Sequence, residues 1–239
     1  MSQIRAFLVA IGLLGAAAVS TQGIIEGFKL LQAALGYGDN LTITYIVGGA
    51  LATFSYIVIA ITYLHYRPVA IHAPLRRPTL REVGWVVGGI VVAFGVAILI
   101  EAIGAVLGAE GATNFATAAA VGNPMLVYGL LLVGNIVLIG PAEELLFRGV
   151  IQGRLRESFG PALAIGITSL GFAISHVPSY WIGGSDLFTL GVLFALLGIA
   201  AGGLILGTIY ERTQNLIVVA LIHGLINAVG VGITLVMLL

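Results

Sequence analysis

The chain contains no cysteine, so it has no disulfide framework, no thiol nucleophile and no cysteine-ligated metal. Charged residues make up only 8% of the 239 positions. In soluble domains about a quarter of the residues are charged, so water is not the solvent for most of this surface. Ten basic residues balance ten acidic residues, which argues against the basic surface of a nucleic-acid-binding protein.

Apolar residues fill the chain instead: 59% of positions are hydrophobic and the mean hydropathy is +1.13. A membrane-spanning helix needs about 20 such residues in a row. The sequence therefore predicts an all-α, polytopic transmembrane helix bundle of about seven spans, in a multi-pass protein of the cell membrane. The predicted spans are 4–35, 41–65, 82–107, 124–154, 161–181, 187–210 and 216–238.

The first span partly resembles a secretory signal, with Arg5 before an apolar stretch and three alanines at 16–18. The apolar character continues past Val19, which favours a retained helix. The fourth span contains Pro141, which predicts a kink or an emergent last turn, because proline removes a helix hydrogen bond.

Basic residues occupy alternate connections between the spans. The connections 36–40, 108–123 and 182–186 contain no Lys or Arg. Basic residues favour the cytoplasmic side, so the N-terminus is predicted to be cytoplasmic and the C-terminus outside. The proline-rich segment 66–81 is then a cytoplasmic loop. The arginines that carry this prediction are Arg5, Arg67, Arg76, Arg77, Arg81, Arg154, Arg156 and Arg212.

Ionisable groups at membrane depth are costly and are therefore functional candidates. Most of those in the last four spans fall into three short patterns, each with an i,i+4 spacing that places two side chains on one helix face. The patterns are Glu143-Glu144-xxx-Arg148, Phe172-xxx-His176 and His223-xxx-Asn227.

The two adjacent glutamates are predicted to have different roles. Glu144 lies one turn before Arg148, the favoured orientation for an ion pair. Glu143 is rotated by about 100° from Glu144 on an α-helix, so it lacks that partner and is available as a general base. A water held between Glu143 and His176 can then attack a carbonyl carbon.

The third pattern supplies donors for the negative charge that such an attack creates. His223 and Asn227 lie one turn apart and can both donate hydrogen bonds to an oxyanion. Counting along the helices from their cytoplasmic ends places the three patterns at similar depth. Their agreement in depth is difficult to explain by helix packing alone.

These three patterns resemble the CPBP family of intramembrane proteases. That family contains the type II CAAX prenyl endopeptidases and bacterial relatives linked to bacteriocin handling and abortive infection. Its pattern is Glu-Glu-xxx-Arg, Phe-xxx-His and His-xxx-Asn, and the resemblance covers roughly 124–230. It implies a catalytic core of four transmembrane helices in 124–239, preceded in 1–123 by three N-terminal transmembrane helices with the cytoplasmic 66–81 loop.

The resemblance implies an intramembrane endopeptidase that cleaves a membrane-anchored or lipidated peptide, of which prenylated CAAX substrates are one class. The lipid bilayer is then its environment, and nucleic acid is not a partner. The resemblance also assigns roles to the motif residues. The catalytic residues are Glu143, His176, His223 and Asn227, and the residues that support the site are Glu144, Arg148 and Phe172.

Metal dependence stays open at this point. The chain lacks the His-Glu-xxx-His helix that is usual for zinc proteases, which favours a site without a cofactor. The alternative is a divalent metal, such as zinc, held by Glu143, His176 and His223.

Other functions were weighed against the peptidase. The Gly-x-Gly-Asp sequence at 36–39 matches membrane aspartyl proteases, but the second aspartate, Asp186, falls in a predicted loop, so 36–39 is predicted to be a turn. Intramembrane Glu, His and Arg also occur in proton-coupled transporters. A non-catalytic immunity or scaffold factor of the same family is the remaining alternative.

Two structural predictions complete the sequence analysis. Glu26 and Lys29 are three residues apart and are predicted to form an ion pair on span one. Span six contains two pairs of glycines spaced by four, Gly198 with Gly202 and Gly203 with Gly207, which predict close helix packing.

Overall fold

The structure is a computed structural model that describes residues 2–38, 40–67 and 75–239. Those residues form eight helices and no strand, and all the helices except α4 are long and apolar enough to cross a membrane. The helices are α1 (Gln3–Ala34), α2 (Leu41–Tyr66), α3 (Leu80–Val106), α4 (Phe115–Ala120), α5 (Pro124–Arg156), α6 (Pro161–Ile182), α7 (Leu190–Thr213) and α8 (Leu216–Met237).

The predicted seven-span, all-α, multi-pass membrane protein is therefore confirmed. The largest differences between predicted and observed ends are three residues, at both ends of span six (187–210 predicted, Leu190–Thr213 observed). The short helix α4 was not predicted, because six residues are too few to show a period. Asn114 caps α4 by accepting a hydrogen bond from the backbone N–H of Thr117.

Helix α5 departs from regular α geometry around Pro141. The segments Asn135–Ile139 and Leu145–Gln152 are π-helical, and they flank a short α-helical segment, Gly140–Glu144. Proline has no N–H to donate, and wider π turns are a common way to accommodate such a gap near functional sites. The helix continues to Arg156, so the irregularity predicted at Pro141 takes the form of widened turns.

Helix α6 is interrupted at the predicted site residue His176. Its first part ends at Ile174, and its second part, Val177–Ile182, begins after a turn at Ser175 and His176. Pro178 occupies the first turn of the second part, where its missing N–H costs nothing. The sequence analysis placed His176 inside a continuous span, and the structure places it at a break.

Helix α5 lies at the centre of the bundle. Its buried residues Phe147 and Val150 pack in one core with Ala10 and Ala60 of α1 and α2 and with Phe172 of α6. A second core joins α7 and α8 to α3 through a set of aliphatic residues. The N-terminal helices therefore pack directly on the four C-terminal helices, three of which contain the motifs.

The glycine prediction for α7 is confirmed for one pair and wrong for the other. A Cβ on Gly203 would lie 3.0 Å from Ser169 Cβ, and one on Gly207 would lie 2.9 Å from Gln152 Oε1, so both mark close approaches. Gly198 and Gly202 have no atom within 4 Å of such a Cβ. They line a cavity instead.

The remaining local predictions have mixed outcomes. Glu26 and Lys29 form the predicted ion pair, at 3.0 Å. The turn at 36–38 is present, with Gly36 and Gly38 at φ of 80° and 66°, while Asp39 lies outside the described residues.

The end of the 66–81 connection is attached to the turn between α7 and α8, and residues 68–74 lie outside the described part of the chain. Arg76 binds Glu82 and donates to the Thr213 carbonyl at 3.2 Å. Asn215, which is fully buried, donates to the Arg76 carbonyl at 3.1 Å.

The orientation of the bundle can be tested with single cysteines, because the native chain has none and gives no background label. Gly160 and Gly111 are both exposed, with no atom within 4 Å of an added Cβ. We expect Gly160→Cys to react with a membrane-impermeant maleimide from the cytoplasmic side and Gly111→Cys from the outside. The reverse pattern, or labelling of both from one side, contradicts the orientation derived from the arginines.

Neighbouring glycines of α7 give a matched test of the helix packing. Gly203→Ala should lower the melting temperature in detergent, because its Cβ meets the Cα of Ser169 at 3.1 Å and a backbone atom cannot swing aside. Overpacking of this kind costs about 1–3 kcal/mol. Gly202→Ala meets no neighbour and should melt at or above the native temperature. Equal melting temperatures for the two variants would show that the contact with α6 is looser than described.

Candidate active site

A fully buried ion pair lies at the centre of the site. Arg148 Nη1 donates to Glu144 Oε1 at 2.5 Å, and neither side chain is exposed. Arg148 Nη2 donates to the Gly203 carbonyl of α7 at 3.3 Å, and the guanidinium lies over the Phe172 ring at 4.8 Å. The i,i+4 pairing predicted from the sequence is confirmed. It also links α5 to α6 and α7.

His223 of α8 completes the coordination of the same carboxylate. Its Nδ1 lies 2.8 Å from Glu144 Oε1, and its Nε2 lies 3.6 Å from Glu143 Oε2. An ionised carboxylate only accepts, so Nδ1 carries a proton that it donates to Glu144. Nε2 is then the ring nitrogen that can bind another group. It accepts a hydrogen bond in the neutral ring and donates one in the imidazolium.

Two glycines allow α5 and α8 to approach closely enough for these contacts. A Cβ on Gly140 would lie 3.0 Å from the Ala220 carbonyl oxygen, and one on Gly224 would lie 2.7 Å from the Asn135 carbonyl oxygen. Larger residues at either position would separate the backbones. The glycines therefore set the distance between the Glu143–Glu144 pair and His223.

Glu143 has a different environment from Glu144. Its side chain is 13% exposed, whereas that of Glu144 is fully buried. The Oε2 atom of each glutamate is buried without a hydrogen-bond partner among the described residues. Two tyrosines of α2, Tyr45 and Tyr56, lie close enough for the Glu143 charge to act on their hydroxyl groups. The sequence analysis missed these tyrosines, because no motif in the first three spans distinguished them from other aromatic residues.

His176 is held by the break in α6. Its Nδ1 lies 2.8 Å from the Phe172 carbonyl oxygen, and its ring packs 4.8 Å from the Phe172 ring. A carbonyl oxygen only accepts, so Nδ1 carries the proton and Nε2 is an acceptor. The Phe172 ring also contacts His223, with ring centroids 5.7 Å apart. No direct hydrogen bond joins Glu143 to His176 among the described residues.

Asn227 is positioned by a second asparagine. Its Nδ2 donates to Asn135 Oδ1 at 3.3 Å, and Asn135 Nδ2 donates to the Leu131 carbonyl at 2.8 Å. Asn135 is buried in the first π-helical segment of α5. An uncharged amide in an apolar span was only a weak signal in the sequence, and its partner could not be identified there.

A cavity of about 620 Å³ lies beside these groups, between α3, α6, α7 and α8. Phe172, His176, His223 and Asn227 form part of its wall. Glu144 and Arg148 are fully buried behind them. Glu143 is outside the wall of the cavity and meets His223 from the α5 side. The second and third motifs thus line one cavity, and the first motif contacts them from behind its wall through Arg148 and Glu144.

The geometry gives little support to the alternative metal site. Within the described ranges, no three His, Cys, Asp or Glu side chains are grouped so that they could hold a metal ion. Glu143, His176 and His223 are all among the described residues, and they do not form such a group.

The motif region also matches a known protein family. The model of the Rce1-like family, described as type II CAAX prenyl endopeptidase Rce1-like, matches residues 123–229. Searches of curated proteins and of solved structures return no match. The matched range contains all three motifs, and it agrees with the range of 124–230 expected from the CPBP resemblance. The resemblance to the CPBP family is therefore confirmed over residues 123–229.

Proposed function

We propose that the protein is an intramembrane endopeptidase that hydrolyses a peptide bond of a membrane-anchored substrate. The observation that carries the proposal is the pair of inequivalent glutamates. Glu144 accepts hydrogen bonds from both Arg148 and His223 at Oε1, whereas Glu143 accepts from neither, and its buried Oε2 lies 3.6 Å from His223 Nε2. A carboxylate without an ion-pair partner, beside a histidine that lines a substrate-sized cavity, is suited to general-base catalysis.

The proposed reaction begins with a water molecule held by His176 and Glu143. Because His176 Nδ1 is committed to the Phe172 carbonyl, its Nε2 accepts one hydrogen of the water. Glu143 takes the other proton as the water oxygen attacks the carbonyl carbon of the substrate. The carbonyl π electrons move to oxygen, which gives a tetrahedral oxyanion and a protonated Glu143.

His223 and Asn227 stabilise that oxyanion. In the imidazolium form, His223 donates from Nδ1 to Glu144 and from Nε2 to the oxyanion. Asn227 has a second N–H beyond the one it donates to Asn135. Collapse of the intermediate breaks the C–N bond, and Glu143 returns its proton to the leaving amine. The products are a carboxylic acid and an amine, and Glu143 is ready for another cycle.

Glu144, Arg148 and Phe172 act by positioning. The ion pair fixes the Nδ1 tautomer of His223, and the Phe172 ring contacts Arg148, His176 and His223. Such support is needed because catalytic groups lose activity when they move by even about 1 Å. We further propose that no metal is required, which the donor geometry supports.

The substrate class follows from the position of the site. A cavity among membrane helices is suited to a lipidated or membrane-spanning peptide, and prenylated CAAX peptides are the class named by the matched family. We propose this class as the first to be tested, in purified protein reconstituted in lipid.

Isosteric variants of the two glutamates should separate their roles. Glu143→Gln should lower cleavage of a prenylated peptide by at least about 10²-fold, because the general base is lost while the shape is kept. Its melting temperature should stay close to the native value. Glu144→Gln should lower the stability by about 3–5 kcal/mol, because Arg148 loses its buried counter-charge. Cleavage assays and thermal melts in detergent measure both effects.

The opposite pattern, with a stable Glu144→Gln and an unstable Glu143→Gln, would mean that the roles are exchanged. Arg212→Gln is a suitable control for loss of a charge, since Arg212 lies in the last turn of α7, away from the motifs. It should leave cleavage and melting unchanged.

Metal analysis tests the proposed mechanism separately from the peptidase assignment. Cleavage should persist in strong chelators, and the purified protein should lack stoichiometric zinc. His223→Ala should lower turnover by about 10²–10³-fold, the effect of losing one oxyanion donor. One tightly bound zinc per chain that is lost in His223→Ala would contradict the metal-free mechanism and leave the peptidase assignment intact.

A further inference from the structure

The cavity extends well beyond the histidines, toward the loop between α3 and α4. An added Cβ on Gly89 would lie 2.9 Å from Ile222, so these two residues mark a common level of α3 and α8. Distances from this level are counted toward the C-terminal ends of the two helices. At 1.5 Å per residue, Asn227 lies about 7 Å from it along α8 and Glu101 about 18 Å from it along α3. Both residues line the cavity, which therefore continues about 10 Å from the proposed oxyanion site to Glu101.

The far end of the cavity is fixed by hydrogen bonds. Ser185 Oγ accepts from the Thr113 N–H at 2.9 Å and donates to the Thr113 carbonyl at 2.8 Å. A Cβ on Gly191 would overlap the Glu110 carbonyl oxygen, so the loop lies directly against the start of α7. The loop thereby holds Glu110 at the cavity wall.

The charges along the cavity have one sign. Its wall contains many small or apolar residues, no Lys and no Arg, and two acidic residues, Glu101 and Glu110. Neither carboxylate forms an ion pair within the part of the chain that the structure describes. The wall thus lacks the cation that recognition of a free carboxylate at this end would require. It has instead two carboxylates without a counter-charge.

We propose that this cavity binds an apolar peptide segment with a Lys or Arg side chain placed about three residues from the scissile bond, toward the α3–α4 loop, where Glu101 and Glu110 neutralise it. The spacing follows from the 10 Å separation and a rise of about 3.3 Å per residue in an extended chain. This inference rests on the proposed peptidase function and names the substrate feature that the same site selects.

Binding can be measured without turnover by using the Glu143→Gln protein in lipid nanodiscs. The probes are three synthetic peptides of Leu and Ala that differ only in one residue, which is Lys, Met or Glu. We expect the Lys peptide to bind about threefold more tightly than the Met peptide, as for one ion pair with exposed carboxylates, and the Glu peptide to bind most weakly.

Removal of the two carboxylates should erase this preference. With Glu101→Gln and Glu110→Gln added, the Lys and Met peptides should bind equally. Glu26→Gln is the matched control, since Glu26 is a partly exposed carboxylate of α1 outside the cavity, and it should keep the preference. Carbodiimide coupling of the Lys peptide to the unaltered carboxylates, located by mass spectrometry, gives a second measurement that does not depend on a variant folding.

Equal affinity for the Lys and Met peptides, or coupling at residues other than Glu101 and Glu110, overturns the inference. Cleavage by the native protein is scored separately. If both peptides are cut at equal rates, the peptidase proposal stands and the preference for a cation fails. If the Lys peptide binds selectively but neither it nor a prenylated peptide is cut, the binding inference stands and the peptidase proposal fails.

Discussion

The buried carboxylate of Glu144 is the constraint on which the rest of the structure depends. A charge without water must be neutralised and hydrogen-bonded in place, and here Arg148 and His223 share one oxygen of that carboxylate. Arg148 reaches the Gly203 carbonyl of α7 and the Phe172 ring of α6, while His223 comes from α8. One buried charge therefore sets the relative positions of four helices.

The same constraint explains why Glu143 lacks the ion-pair partner of Glu144, which suits it to the role proposed for it. Adjacent residues on a helix point in different directions, so a partner that reaches Glu144 along α5 cannot also neutralise Glu143. The nearby glycines, Gly140 and Gly224, bring α8 close enough for His223 to stand between the two carboxylates. Stability and chemistry are thus assigned to neighbouring side chains. The widened turns of α5 on both sides of them are a common feature of functional helices.

Much of this arrangement could be predicted from local sequence. Seven apolar segments of sufficient length specify the spans, and an i,i+4 Glu–Arg pair specifies its own contact. Contacts between helices could not be predicted in the same way. The bond from His223 to Glu144, the Asn135 partner of Asn227 and the approach of Tyr45 and Tyr56 to Glu143 all depend on tertiary packing. The break at His176 was also missed, although Pro178, two residues later, was a signal for it in the sequence.

The most direct test of this account is the protonation of the His223 ring in the folded protein. Nitrogen-15 spectra of histidine-labelled protein can resolve it, with the signal assigned by its loss in His223→Gln. The account predicts a protonated Nδ1 in the native protein and in Glu143→Gln, and a changed Nδ1 signal in Glu144→Gln. An unprotonated Nδ1 in the native protein, or a signal that Glu144→Gln leaves unchanged, would contradict the anchoring of His223 by Glu144.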